Sequence, residues 1–164
     1  MKDTVFIGID VSQATNTVHV MDNSGNKIFN QTYENSLSGS NQIVEHILER
    51  VKLPEVTFFN FGLEATGCYG DLISMFLRET DRIPSIQKSV RVLNPKQVSR
   101  FKKSYSELPK TDNIDSFVIA DSLRFGRIGV KGTIMEDKYL ALQQLTRSRF
   151  QVAKDFSREK NRYL

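Results

Sequence analysis

The sequence predicts an α/β domain: a five-stranded mixed sheet in the order 3-2-1-4-5, flanked by helices and followed by one long helix. Three observations carry this. Short apolar, β-branched runs of strand length alternate with segments whose apolar residues recur at helical spacing. The first three runs are joined only by short turns, as in an antiparallel meander, whereas the fourth is reached through a helical segment. The chain of 164 residues is long enough for one domain with an extension.

Residues 5–9 (VFIGI) read as a strand buried on both faces, ended by Asp10. A second run, 17–21 (TVHVM), leads through the turn cluster Asp22-Asn23-Ser24-Gly25-Asn26 to a third strand at 27–33. Residues 36–40 supply cap-type side chains for a helix in which Ile43, Val44, Ile47, Leu48 and Val51 form one stripe, with Pro54 as its stop. The run 56–63 (VTFFNFGL) is a fourth strand ending at Glu64. Residues 71–82, with Leu72, Ile73, Phe76 and Leu77 on one side, predict a second amphipathic helix, and 86–93 a weaker fifth strand. Asn94-Pro95 is a helix start, because Asn caps and Pro is tolerated at the first helical position; this helix, 95 to about 103, is basic. Thr111 caps a further helix running to about Arg127. Gly126, Gly129 and Gly132 then form a hinge-like loop, and from Glu136 onward no Gly or Pro interrupts a long helix. On that helix Leu142, Leu145, Val152 and Phe156 fall on a roughly heptad seam broken by Arg149, too narrow and polar for a core and suited to a partner helix. The expected division is a domain over 1–132 and a helical, coiled-coil-like arm over 133–164.

Composition excludes several classes. With 39% hydrophobic and 26% charged residues and no apolar run of about 18 residues, the chain is neither disordered nor membrane-spanning. The opening MKDTVFIGIDVS has acidic residues where a secretory signal needs basic ones, so a cytoplasmic protein is expected. One cysteine, Cys68, excludes an intramolecular disulfide and a multi-cysteine zinc site. The net charge of +4 is too mild to name a partner, but its distribution is not even: −5 over 1–85, +6 over 86–110, −2 over 111–137 and +5 over 138–164. An acidic body between basic stretches suits a carboxylate site flanked by phosphate-attracting surfaces.

A right-handed crossover through the first helix returns the fourth strand parallel to the first. The carboxyl ends of those strands, where open α/β sheets bind ligands, then carry Asp10 and Glu64 side by side. Two converging acids cost electrostatic energy unless a cation lies between them. Asp112 and Asp115, three apart at the start of a helix, project from one face and are favoured by the positive end of its dipole. Asp121 points elsewhere. Taken singly, each acid has an ordinary role as a turn former, exposed residue or cap. Together, four hard oxygen donors without His or Cys select Mg²⁺ or Mn²⁺, and a pair of such ions about 3.5–4 Å apart can clamp a scissile phosphate.

The segments GIDVS (8–12), LEATGCYG (63–70), VLNPKQVSRF (92–101) and KTDNIDSFVIAD (110–121) resemble the N-terminal domain of the DEDD transposases of the insertion-sequence 110 family, a group that includes the pilin-gene invertases. The resemblance covers essentially the whole chain. It implies an RNase H-like fold similar to RuvC-type junction resolvases, an acidic tetrad at Asp10, Glu64, Asp112 and Asp115 serving as catalytic and metal-binding residues, and action on DNA with Mg²⁺ or Mn²⁺. It also implies a structured guide RNA as partner, and a further domain carrying a serine nucleophile, so that the chain is expected to be a piece of a longer bacterial protein, nucleoid-associated when active. Ser116 stands where the family commonly has Ala, a small change that leaves the helix face intact.

Arg91, Lys96, Arg100, Lys102 and Lys103 are the candidate nucleic-acid contacts of the basic stretch, and Lys110, just before the third acid, is placed to meet a scissile phosphate. Tyr69, in the turn with Thr66, Gly67 and Gly70, has the chemistry to stack on a base. His19 and His46 read as a strand residue and a surface helix residue. The arm predicts a homo-oligomer, at least a dimer, through residues 138–164, with Arg147, Arg149, Lys154, Arg158, Lys160 and Arg162 as nucleic-acid contacts or solubilising charges. The expected activity is metal-dependent DNA strand cleavage and exchange. Two alternatives stay open: a stand-alone junction nuclease with water as nucleophile, and a non-catalytic binding and dimerisation module. The sugar kinase and actin fold also opens on a strand ending in Asp, but no second nucleotide-binding half is present.

Overall fold

The computed structural model describes residues 3–51, 56–64, 67–105, 112–126 and 137–163, with every side chain among them except those of residues 3, 56, 57, 112, 137, 138 and 140. Strands β1 (Asp3–Val11), β2 (Thr15–Met21) and β3 (Lys27–Glu34) form the antiparallel meander. The β2–β3 turn is held by Asp22, whose carboxylate accepts the backbone N–H groups of Ser24 and Asn26, each at 2.8 Å. Helix α1 (Leu37–Arg50) starts at Ser36, whose hydroxyl accepts the Gly39 N–H at 3.1 Å. It returns the chain so that β4 (Val56–Glu64) lies parallel beside β1. Helix α2 (Asp71–Glu79) and a single 3₁₀ turn (Ser85–Gln87) lead to β5 (Lys88–Leu93), parallel beside β4. The sheet order is β3-β2-β1-β4-β5, the order expected. Helices α3 (Pro95–Lys102), α4 (Asp112–Arg124) and α5 (Asp137–Arg162) follow.

Several boundaries differ from the sequence reading, and for three of them the structure shows the reason. Strand β1 continues past Asp10 because Val11 is buried and pairs with Asn16. Helix α2 stops at Glu79, where Thr80 turns to ψ 127° and sends Ile83 into the core at 1% exposure. The fifth strand begins at Lys88, since residues 85–87 are a 3₁₀ turn that leaves Ile86 in solvent. Pro54, Thr66, Lys110, Thr111, Gly129 and Gly132 lie outside the described residues.

The chain divides into two compact units, Met1–Gly132 and Thr133–Leu164. In the first, the sheet has an apolar layer on each face. Val5, Ile7, Ile9, Phe59, Phe61 and Leu63 point to one side and pack with Ile43 and Ile47 of α1 and Ile73 and Leu77 of α2. Phe6, Met21 and Leu93 point to the other, against Val98 of α3 and Val118, Ile119, Ala120 and Leu123 of α4. The second unit is α5, on which Leu142, Leu145, Val152 and Phe156 are exposed.

Helix α4 approaches the sheet unusually closely. Gly8 of β1 and Gly62 of β4 are register partners. A Cβ on Gly8 would collide with the Ser116 carbonyl oxygen and the Ala120 nitrogen, and one on Gly62 would lie 2.7 Å from Leu123 Cδ1. Gly8→Ala therefore must push helix backbone away, whereas Gly62→Ala meets side chains alone, those of Leu123 and Ile119. In urea denaturation Gly8→Ala is expected to cost at least the roughly 1–3 kcal/mol typical of overpacking, and Gly62→Ala less; equal losses would contradict this packing.

Candidate metal centre at the carboxyl ends of the central strands

Side chains alternate along a strand, so the face of Gly8 and Gly62 is also the face of Asp10 and Glu64, two residues further on. The close seat of α4 brings its first turn to that edge. The Glu64 carboxyl, half-buried, is pushed above the usual range first by burial and then by the negative charges of Asp10 and Asp115, with Lys102 opposing them. Three of the four predicted acids are thus electrostatic neighbours. Asp112, the first residue of α4, lies one helical turn before Asp115 and on the same side of the helix; its side chain is outside the described set.

The basic candidates separate by position. Lys102, at the end of α3, is ion-paired with Asp115, their side chains 24% and 28% exposed. Lys96, Arg100 and Lys103 are exposed to solvent. Arg91 is half-buried on β5, its Nε donating to Ser89 Oγ at 3.3 Å. Lys110 lies outside the described residues. Helix α3 itself is capped by Asn94, whose Oδ1 accepts the Lys96 N–H at 2.9 Å, and its cations gather in the last turn, where the helix dipole favours them.

Several supporting roles are not evident from sequence. Ser116, fully buried, donates its hydroxyl to the Asn113 carbonyl at 3.1 Å and accepts from Asn30 Nδ2 at 3.3 Å, tying the first turn of α4 to β3. Asn30 Nδ2 also lies 3.1 Å from His19 Nδ1, and the His19 ring meets Phe117 edge-on at 5.3 Å. Burial, then the charge of Lys27, lowers the His19 pKa to about 4, so the imidazole is neutral at physiological pH. Asp121, 4% exposed, is held by Arg124 at 2.7 Å and by the Tyr105 hydroxyl. Asn35 Nδ2 donates to the Ser12 and Tyr69 carbonyls at 2.9 and 3.1 Å, bridging the loops after β1 and β4. One sequence signal is present: the spacing Gly-x-acid occurs in both central strands, as Gly8-Ile9-Asp10 and Gly62-Leu63-Glu64. Cys68 and Tyr69 are exposed, and His46 Nδ1 is 3.0 Å from the Tyr33 hydroxyl.

Among the described residues, no group of three or more His, Cys, Asp or Glu is drawn in tightly enough to hold a metal ion as it stands. The donor chemistry nevertheless fits a hard divalent cation: oxygen ligands only, with a mutual repulsion at Glu64 that positive charge relieves. No described helix is long and apolar enough to cross a membrane.

The family model for the DEDD transposases of the insertion-sequence 110 type, described as "Transposase", matches residues 7–164. No curated protein matches the sequence. Among solved structures, "T. thermophilus RuvC in complex with Holliday junction substrate" is similar with a TM-score of 0.48 and 13% identity, over 77% of this chain and 96% of that one. "Thermus thermophilus RuvC structure" gives a TM-score of 0.48 and 14% identity over 74% and 96%.

The Glu64 shift has a consequence for stability. A carboxyl whose folded pKa is raised stays protonated when the unfolded chain has already ionised, so stability falls as pH rises from about 4.5 through the folded value. Glu64→Gln removes that loss. In thermal unfolding without divalent metal, the variant is expected to melt a few degrees above the wild type at pH 7 and level with it at pH 4; a variant no more stable at pH 7 would refute the crowding of charge at this edge.

Proposed function

The chain belongs to the DEDD transposases of the insertion-sequence 110 family, and from that premise we propose that this domain carries out metal-dependent cleavage and exchange of DNA strands. The observation that supports it most is the meeting of Asp10, Glu64 and Asp115 at the carboxyl ends of β1 and β4. Asp10, Glu64, Asp112 and Asp115 would hold Mg²⁺ or Mn²⁺. When bound, such ions supply charge neutralisation at a phosphodiester and a lowered pKa for the attacking oxygen. The protein's part is positional. The sheet presents Asp10 and Glu64 from adjacent parallel strands, and α4 presents the other two acids from its first turn, where the dipole favours their ionised forms.

Lys96, Arg100 and Lys103, exposed along α3, offer the phosphate contacts that orient a strand toward the acids. DNA is the proposed substrate, selected by a structured guide RNA as the family resemblance implies. The exposed apolar residues of α5, from 58% at Leu142 to 71% at Phe156, support a dimer through residues 138–164.

Calorimetric titration of Mn²⁺ into the chain is expected to give saturable binding, weakened roughly tenfold or more by Asp10→Asn or Asp112→Asn; identical isotherms would defeat the metal assignment. For DNA, affinity should fall with salt, and the triple Ala variant at Lys96, Arg100 and Lys103 should flatten the log–log slope by about 0.9 for each phosphate it no longer neutralises. Sedimentation tests the arm. The chain should associate at micromolar concentration and become monomeric when Leu145 and Val152 are replaced by Lys, and a wild-type monomer would count against the seam.

A further inference from the structure

Lys102 stands in sequence among the basic residues of α3, but its ammonium is engaged by Asp115, and its charge also reaches Glu64, where it opposes those of Asp10 and Asp115. Its neighbours Arg100 and Lys103 are exposed, so among the α3 cations Lys102 is set apart by direction as well as by partner. A carboxylate bonded to an ammonium has part of its lone-pair capacity occupied. A dication arriving among these acids would also repel that ammonium at close range, with little bulk water to screen the two. Lysine suits such an exchange: a point charge on a flexible stem with rotatable donors moves away by a rotamer change, where an arginine fork would be held in a planar pairing. Both side chains are about a quarter exposed, so an ammonium leaving Asp115 has a path to solvent.

We infer that Lys102 is the built-in counter-ion of the carboxylate site, occupying Asp115 until a divalent cation does and then released toward the nucleic-acid backbone beside Arg100 and Lys103. The inference rests on the metal reading proposed above for the same acids. It turns metal loading and phosphate binding into one coupled event. A free lysine head group appears on the DNA-facing helix only once the acids have been neutralised.

The test is Mn²⁺ calorimetry on the whole chain, comparing wild type with Lys102→Gln, Lys102→Met and Lys102→Arg, each checked for native circular dichroism. The neutral variants are expected to bind Mn²⁺ roughly two- to fivefold more tightly, since no ammonium has to leave, while Lys102→Arg binds no more tightly than wild type. The gain should vanish in the Asp115→Asn background. Thermal unfolding gives a second readout: the neutral variants melt below wild type in EDTA and show a larger rise with Mn²⁺. Neutral variants that bind Mn²⁺ equally or more weakly, while Asp10→Asn still weakens binding, would overturn the counter-ion role and leave the metal reading standing. Absence of Mn²⁺ binding in every form, wild type included, would overturn both.

Discussion

Helix α4 rests on the sheet at backbone distance, and Gly8 and Gly62, side by side on β1 and β4, make that possible. Any side chain at Gly8 would meet the Ser116 carbonyl, so the helix would have to rise, and with it everything the helix carries. The second apolar layer, in which Phe6 and Met21 pack with Val118, Ile119 and Leu123, forms around this contact. So does the acidic edge: Asp115 influences Glu64 because the first turn of α4 has been lowered onto the strand ends. The hydrogen bond from Asn30 to the buried Ser116 hydroxyl then fixes the helix against sliding along β3. At this position a serine gains something an alanine cannot, namely an acceptor at the point of closest approach.

The acids of α4 divide into two kinds. Asp121 is buried but engaged by Arg124 and by the Tyr105 hydroxyl, whose own proton is held more firmly by burial first and then by that hydrogen bond. Such a group stabilises one packing arrangement and has no spare capacity. Asp115 is more exposed, shares one lysine with nearby acids, and adds to the repulsion felt at Glu64. Native structures retain crowded like charges where a ligand supplies the compensation. This contrast between two aspartates on one helix, rather than the number of acids, is what favours Asp115 over Asp121 as a member of the proposed site.

Much of the fold is legible in the sequence because its signals are local. Short apolar, β-branched runs, the Asp22 turn, the Ser36 and Asn94 caps and the crossover rule together specify five strands and their order. The boundaries that differ do so for tertiary reasons: Ile83 is drawn into the core and cuts α2 short, and Val11 finds a partner in Asn16 that extends β1. At the site, Asp10, Glu64 and Asp115 are legible from strand ends and helix starts. The role of Lys102 is not, because a lysine in a basic run looks like its neighbours until the helix angle sends one of them inward. Nor are those of His19, Asn30 and Ser116, which come from three separate elements and meet only when α4 is seated.

Acids placed on two strands and a helix are held differently from acids placed on loops. A strand end in a parallel pair is fixed by hydrogen bonds on both sides, so the Cα positions of Asp10 and Glu64 cannot drift apart without breaking the β1–β4 ladder. A helix first turn is equally stiff, but its distance from the sheet is adjustable through whatever lies beneath it. Two glycines beneath the following turns of α4 remove that adjustment, since there is no smaller residue to which the contact could relax. The separation between strand acids and helix acids is therefore set by backbone against backbone. What remains soft is the side-chain layer above, where Lys102 reaches Asp115, and the exchange of one cation for another proposed here would need that combination of rigidly placed acids under a movable counter-charge.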